Sequence, residues 1–424
     1  MTTAIVMVIL LLVFIMLGLP ISFTLLVAVL GASVVGDVDF FITIQRMFAY
    51  NNSFSLLAIP LFFVAGELML VGGISKRIVD FAYSLFGWFK GCFAVISFVA
   101  CAFFGAISGS SFATTAAIGS IMYPKMVEDG YKPSLAAAIQ ATGGTLGTLI
   151  PPAILCVIYA QLAGCSAGDM FITIAYVGIA ATVLYSMATL AVLRFDKTAY
   201  MQKAAEKQRF RLKAVIESGK GAIWALLSPI IILGGIYSGV FTPSECAVVA
   251  TVYSLIVGFF VYRELTVKKA CKAIVNAILG SAAIMFILNA GNPFSYILTK
   301  SGIPNVLTEF VTSTITQKLL FLLAVNVLLL LGGMFMDTSC LLTIMTPLLC
   351  PMLGTYDINV LHFGAICVLN MTLGTLSPPF GGGVFVAAGV TNQPVTEIFR
   401  SNMPLLLSGI AILMGVTYVP LLWL

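Results

Sequence analysis

Four short runs of small and hydroxyl-bearing residues interrupt long apolar stretches, and these are the places where the sequence could do chemistry. The first is Gly105-Ala106-Ile107-Ser108-Gly109-Ser110-Ser111; the second runs from Gly332-Gly333 to Asp337-Thr338-Ser339. The other two each carry a double proline. Ala141–Pro152 contains Gly143, Gly147, Thr148 and Pro151-Pro152, and Asn370–Phe385 contains Gly374-Thr375-Leu376-Ser377-Pro378-Pro379-Phe380-Gly381. Proline has no N–H and obstructs the carbonyl one turn back, so a Pro-Pro pair leaves several backbone groups unpaired. Such groups are costly in hydrocarbon and must face protein or a wet cavity. Freed carbonyls can coordinate a cation, while half-helix N-termini offer N–H groups and positive dipole ends to an anion. Close helix packing would explain one isolated small residue. It does not explain four symmetric breaks.

Asp337 is the only carboxylate in the second of these segments, and an ionisable group at membrane depth is costly and usually functional. It can ligate a sodium ion, bind a proton or accept hydrogen bonds that fix the tip of the segment. Glu67 and Glu245 lie nearer segment ends, where a structural role is expected. No lysine or arginine falls within the four breaks. An anionic substrate is therefore expected to be held by hydroxyls, backbone N–H groups, helix dipoles and a bound cation. His362 is the single histidine, which argues against a histidine-based metal site. The nine cysteines show no C-x-x-C spacing and read as small buried hydrophobes. An intramembrane enzyme would need clustered acids or metal ligands within the spans, so no catalytic residue is assigned. A channel would give no reason for paired Pro-Pro breaks.

The elements that must position these residues are membrane helices. Of 424 residues, 60% are hydrophobic and 9% charged, against roughly 25% charged in soluble domains. Ala4–Leu30, Phe171–Leu193, Leu319–Met336 and Met403–Leu424 carry no charge over about the length that spans a hydrocarbon core. The chain thus reads as an all-α polytopic protein of the lipid bilayer, with Ala4–Leu30 as its first span. The N-terminus has no basic n-region, and its apolar run outlasts the roughly 7–15 residues of a signal-peptide core. The net charge of +5 is no nucleic-acid footprint, because the basic residues sit between apolar runs, where orientation signals belong.

Arg194–Lys220 holds eight basic residues against three acidic, and Arg263–Lys272 is basic as well. The positive-inside rule places both in the cytoplasm, with the N-terminus cytoplasmic and Leu424 periplasmic. Lys76, Arg77, Lys90, Lys125, Lys132 and Arg400 then fall inside, and Arg46, Lys300 and Lys318 outside. Cys92–Tyr123 becomes a re-entrant hairpin entered from inside, and Leu319–Cys350 one entered from outside.

Gly147-Thr148-Leu149-Ile150-Pro151-Pro152 recurs as Gly374-Thr375-Leu376-Ser377-Pro378-Pro379, an offset of 374 − 147 = 227. Pro124 maps to Pro351 and Ser110-Ser111 to Asp337-Thr338 at the same offset. Further upstream Ala65-Gly66-Glu67 resembles Ala290-Gly291-Asn292. Residues 1–200 and 244–424 form two repeats, joined by a cytoplasmic loop and a connecting span over 201–243. The extra span, at about Ala222–Ile236, inverts one repeat relative to the other, as in alternating-access transporters.

Gly109-Ser110-Ser111-Phe112-Ala113-Thr114-Thr115-Ala116-Ala117-Ile118-Gly119, Leu376-Ser377-Pro378-Pro379 and Gly239-Val240-Phe241-Thr242-Pro243-Ser244-Glu245 together resemble the large membrane subunit of tripartite ATP-independent periplasmic (TRAP) transporters. Ala58-Ile59-Pro60-Leu61-Phe62 and Ala65-Gly66-Glu67-Leu68-Met69 add to the likeness, which covers essentially the whole chain. The resemblance implies a sodium-coupled elevator carrier in a bacterial inner membrane. It would take up an organic acid, a C4-dicarboxylate or a sialic acid, delivered by a periplasmic substrate-binding protein. It also implies a small membrane subunit of about four helices, expected as a separate polypeptide because the chain begins at the large subunit's first span. By the resemblance, sodium would bind at Ser108, Gly109, Ser110 and Ser111 with Gly143 and Gly147, and at Gly333, Asp337 and Thr338 with Gly374 and Ser377. Substrate would sit among Ser110, Ser111, Thr148, Pro151, Thr338, Ser377, Pro378 and Gly381. Ile150 stands where the second repeat has Ser377, so the two sites need not be equivalent. The alternative is a stand-alone sodium-coupled carboxylate carrier of the same superfamily that needs no binding protein.

Overall fold

A computed structural model describes residues 2–35, 39–89, 91–196, 199–200 and 212–420. Met1, Leu424, Lys90 and, within the Arg194–Lys220 loop, residues 197–198 and 201–211 lie outside the described residues. Among those described, the chain is helical apart from one isolated bridge between Tyr131 and Tyr200. Seven helices among the described residues are long and apolar enough to cross a bilayer, or eight if one bent pair counts as a span.

The chain begins with a departure from expectation. The apolar run Ala4–Leu30 is not one span but two helices, α1 (Thr2–Met16) and α2 (Ile21–Val35). Gly18 has φ 77°, a left-handed conformation that costs glycine little, and Pro20 follows without an N–H. The chain therefore turns back, and Gly31 lies directly against Leu10. The run is therefore not one continuous span. α3 (Phe40–Asn51), α4 (Ala58–Val71) and α5 (Ile74–Phe86) follow.

α6 (Cys92–Ser108) and α7 (Ser111–Asp129) form the first hairpin: the Ala94 N–H near its start donates to the Tyr131 hydroxyl just beyond its end, at 3.2 Å. The helix that follows is broken. α8 (Pro133–Leu149) and α9 (Ile154–Ala163) meet at 44° across Pro151-Pro152. The spans α10 (Ala167–Phe195), α11 (Leu212–Tyr237), α12 (Pro243–Ile256) and α13 (Val267–Lys300) come next, then the short α14 (Ile303–Thr314). α15 (Lys318–Phe335) and α16 (Thr338–Leu349) make the second hairpin. Its ends are tied by Phe321 stacked on Tyr356 at 4.2 Å and by Lys318 Nζ donating to the Asp357 carbonyl at 2.6 Å. A second broken helix, α17 (Val360–Gly374) and α18 (Gly382–Thr391), precedes the final α19 (Val395–Tyr418).

Each hairpin crosses a broken helix through facing glycines. A Cβ on Gly105 would lie 2.8 Å from the Gly147 Cα, and one on Gly333 would lie 3.1 Å from the Gly374 Cα. Helix backbones meet this closely only where neither carries a side chain. The Ala-Gly pairs noted upstream do parallel work. Gly66 on α4 backs onto Ser108 of the first hairpin, and Gly291 on α13 backs onto Thr343 of the second.

Candidate functional site

At the first tip, α6 stops at Ser108, Gly109 reverses the chain at φ 61°, and Ser110 caps α7 by accepting from the Ala113 N–H at 3.4 Å. Three oxygens gather beneath it. The Ser108 and Thr114 hydroxyls are 2.9 Å apart, and Thr114 also donates to the Ser110 carbonyl at 2.8 Å. Gly147 lies under this cluster, where any side chain would strike Thr114 Oγ1 and the Ser110 carbonyl. The Gly109 carbonyl accepts from the Ile154 N–H at 3.3 Å, which ties the tip to the first break. Gly143 lies deeper, against Cys101.

At the second tip, Asp337 caps α16, its Oδ1 accepting from the Ser339 N–H at 2.9 Å. The two caps, Ser110 and Asp337, are 227 residues apart, the spacing of the sequence repeat. Asp337 is exposed to the cavities around it rather than buried. Ser377 is buried, and its hydroxyl donates to the Leu373 carbonyl at 3.0 Å. The carbonyls of the second break already have partners: Gly383 N–H reaches Thr375 at 3.0 Å and the Asn402 amide reaches Leu376 at 3.4 Å. Asn402 is in turn fixed by the Thr142 hydroxyl at 2.6 Å. A cation there would use the second lone pair of each carbonyl.

Between the tips and the wall formed by α4 and α13 lies a cavity of about 420 Å³. Of the residues singled out in the sequence, Gly109, Ser110, Ser111, Thr148, Asp337 and Thr338 line it. Gly333 and Gly381 line a neighbouring cavity of about 440 Å³ instead. Ser108, Gly143, Gly147, Gly374, Ser377, Pro151 and Pro378 line neither; most support the tips from beneath, whereas Pro378 faces outward.

The sequence reading missed Thr372 and Thr375, which also line the first cavity. The signal was present, because the repeated run extends upstream as Thr145-Leu146 and Thr372-Leu373. Two like hydrogen bonds share the same offset: Thr148 donates to the Thr145 carbonyl at 2.9 Å, and Thr375 to the Thr372 carbonyl at 2.7 Å. Thr148 and Thr372 hydroxyls meet at 3.1 Å across the two broken helices, while Thr372 also reaches the Val368 carbonyl at 2.6 Å. Two hydroxyl protons serve three contacts, so lone pairs remain for a cation or a donor.

Glu67 differs from expectation. Its carboxylate lines the first cavity, and no ion pair or hydrogen bond holds it among the described residues. Glu245 keeps the structural role expected of it, accepting from the Thr242 N–H at 2.8 Å in a capping box that starts α12. No Lys, Arg or His lines the first cavity among the described residues. The site offers hydroxyls, carbonyls, two carboxylates and the first-turn N–H groups of α7 and α16, which no intrahelical carbonyl satisfies.

Residues 8–422 match the family model described as tripartite ATP-independent periplasmic transporter, DctM component. The chain is 37% identical over 375 residues to the C4-dicarboxylate TRAP transporter large permease protein DctM of Pseudomonas aeruginosa, covering 88% of this chain and 86% of that one. It is 36% identical over 411 residues to the isethionate TRAP transporter permease protein DctMQ of Oleidesulfovibrio alaskensis, covering 96% of this chain and 64% of that longer one. Among solved structures, the Alcanivorax borkumensis YdaH transporter superposes with a TM-score of 0.63 at 15% identity, over 92% of this chain and 89% of that one.

Proposed function

The chain belongs to the DctM-component family of tripartite ATP-independent periplasmic transporters, and on that premise we propose that it moves a small organic acid inward together with sodium. It is a multi-pass transporter permease, not an enzyme. The observation that carries the proposal is the first cavity, where both hairpin tips and both broken helices converge on hydroxyls with no basic side chain among the described residues. An acid held there needs a cation to offset its charge, and clustered hydroxyl and carbonyl oxygens suit sodium. The Ser108–Ser110–Thr114 cluster and the Asp337–Thr375 region are the two candidate ion positions. Sodium would enter as a co-transported substrate.

The reading continues with an elevator motion. The hairpins and broken helices form the body that carries substrate, and α4 and α13 form the wall it slides along, meeting it at Gly66 and Gly291. The membrane would be the bacterial inner membrane. The partners would be a periplasmic substrate-binding protein and a four-helix small subunit; the longer DctMQ relative is one in which such a unit would fit within a single chain. The C4-dicarboxylate and isethionate named for the relatives set the substrate range to test first. Reconstituted vesicles containing the chain, its small subunit and its binding protein should take up labelled succinate, isethionate or sialic acid only under an inward sodium gradient. Equal uptake with sodium replaced by potassium would overturn the coupling, and full uptake without the binding protein would overturn the delivery step.

A further inference from the structure

A buried bridge ties the second Pro-Pro break to the broken helix of the first. Leu376 lies two residues past the end of α17, and Pro379, three residues on, has no N–H to give its carbonyl. The donor that reaches this carbonyl is the Asn402 amide of α19, at 3.4 Å. Asn402 Oδ1 accepts in turn from the Thr142 hydroxyl of α8 at 2.6 Å. Thr142 is itself fixed, because its carbonyl accepts from the Thr145 hydroxyl at 2.6 Å, one step from Thr148 at the cavity. Thr142 and Asn402 are fully buried, at 0% and 1% exposure. A hydroxyl and a side-chain amide are costly to bury unless paired. Here they pair with each other and with one carbonyl of the break.

The first break forms without such a bridge. At the offset of 227, Leu376 corresponds to Leu149, Asn402 to Ala175 and Thr142 to Leu369. Gly178 of α10 backs directly onto the Leu149 carbonyl, where any side chain would collide. A Pro-Pro break therefore does not by itself demand a side-chain amide on its last carbonyl. From these facts we infer that Asn402 is a positioning residue for sodium. Its amide fixes the direction of the Leu376 carbonyl, whose second lone pair is left for the ion, and Thr142 holds the amide in place. The sodium requirement of the second break is thus set in part by a hydroxyl on the other broken helix. This rests on the proposed sodium coupling and on the ion position proposed around Asp337 and Thr375.

Thermal unfolding of the purified full chain, titrated with sodium chloride in place of potassium chloride at constant ionic strength, separates holding the fold from holding the ion. The melting temperature in potassium alone reads the first, and the sodium concentration for half-maximal stabilisation reads the second. Asn402→Leu leaves the Thr142 hydroxyl buried and unpaired. It should melt lower in potassium and need about fivefold more sodium, the worth of one lost hydrogen bond. Thr142→Val leaves the amide beside Leu376 without its anchor, so its sodium requirement should rise by less. Combining the two changes sets apolar groups against each other, and stability recovers when both partners of a buried hydrogen bond are replaced in this way. The double variant should melt closer to wild type in potassium yet still need about fivefold more sodium, because nothing then holds the carbonyl. Thr142→Val alone carries the test if the leucine variants do not fold. A wild-type sodium requirement in either variant that carries Thr142→Val would reduce the bridge to packing and overturn the inference, leaving sodium coupling in place. A wild-type chain stabilised no more by sodium than by potassium would overturn the sodium reading, and this inference with it.

Discussion

The two hairpin tips meet the same need, capping the helix that leaves the tip, with different side chains. Ser110 does so with a neutral hydroxyl and Asp337 with a carboxylate, so only the second tip adds a fixed negative charge to its ion position. The two candidate sodium sites should then differ in how much they rely on charge. Asparagine caps a helix about as well as aspartate, and its side-chain carbonyl can still face a cation. Asp337→Asn should therefore fold normally while requiring distinctly more sodium for half-maximal uptake. Unchanged sodium dependence in reconstituted vesicles would show that Asp337 serves only as a cap. Ser110, Ser111, Thr148, Asp337 and Thr338 were legible in the sequence because each sits at a visible break. Glu67 was not: one apolar run reads alike whether its carboxylate faces a cavity or a membrane edge, and only the packing of Gly66 on Ser108 turns that face inward.

At the scale of elements, the hairpins and broken helices were legible because glycine, serine and proline are the residues that interrupt membrane helices. The α1–α2 turn was not. Gly18-Leu19-Pro20 lies in a run whose total length fits one span, and length dominated the reading. The Pro-Pro breaks make a prediction that belongs to this scale. Replacing Pro378 and Pro379 by alanine restores two N–H groups and favours a continuous helix by about 3 kcal/mol per proline. The carbonyls near Leu376 would then pair within the helix instead of with the Asn402 amide, and would turn away from a cation. The variant should be expressed and at least as stable to heat, with transport collapsing and sodium affinity falling before substrate preference changes. Pro151→Ala with Pro152→Ala should behave similarly. A folded variant with wild-type uptake and sodium dependence would reduce the break to a packing feature.

Across the whole molecule, side-chain contacts sort the basic residues into two ends. At one end Arg77 pairs with Glu264 at 2.8 Å, Lys125 approaches Asp80 at 3.8 Å, and Ser401 donates to Ser134 at 2.9 Å. These contacts gather Lys76, Arg77, Lys125, Lys132, Arg263, Lys268, Lys269 and Arg400 around the base of the first hairpin. At the other end Ser244 donates to the Phe54 carbonyl at 2.6 Å, Arg46 lies 3.7 Å over Tyr296, and Lys318 reaches the Asp357 carbonyl. By the positive-inside rule the excess of positive charge at the first end is expected on the cytoplasmic side, which would have the first hairpin enter from inside and the second from outside. The exposed turn at Ser238, between α11 and α12, would then face the periplasm, and exposed Lys268 at the start of α13 would face the cytoplasm. In intact cells an impermeant thiol reagent should label Ser238→Cys and leave Lys268→Cys unmodified until the membrane is opened; the background cysteines are mostly buried, and Cys271 is exposed, so it must first be replaced by serine. Labelling in the opposite order would turn the molecule over in the membrane. The hairpin with the Asp337 carboxylate would then open to the cytoplasm, where a sodium gradient driving uptake could not load it.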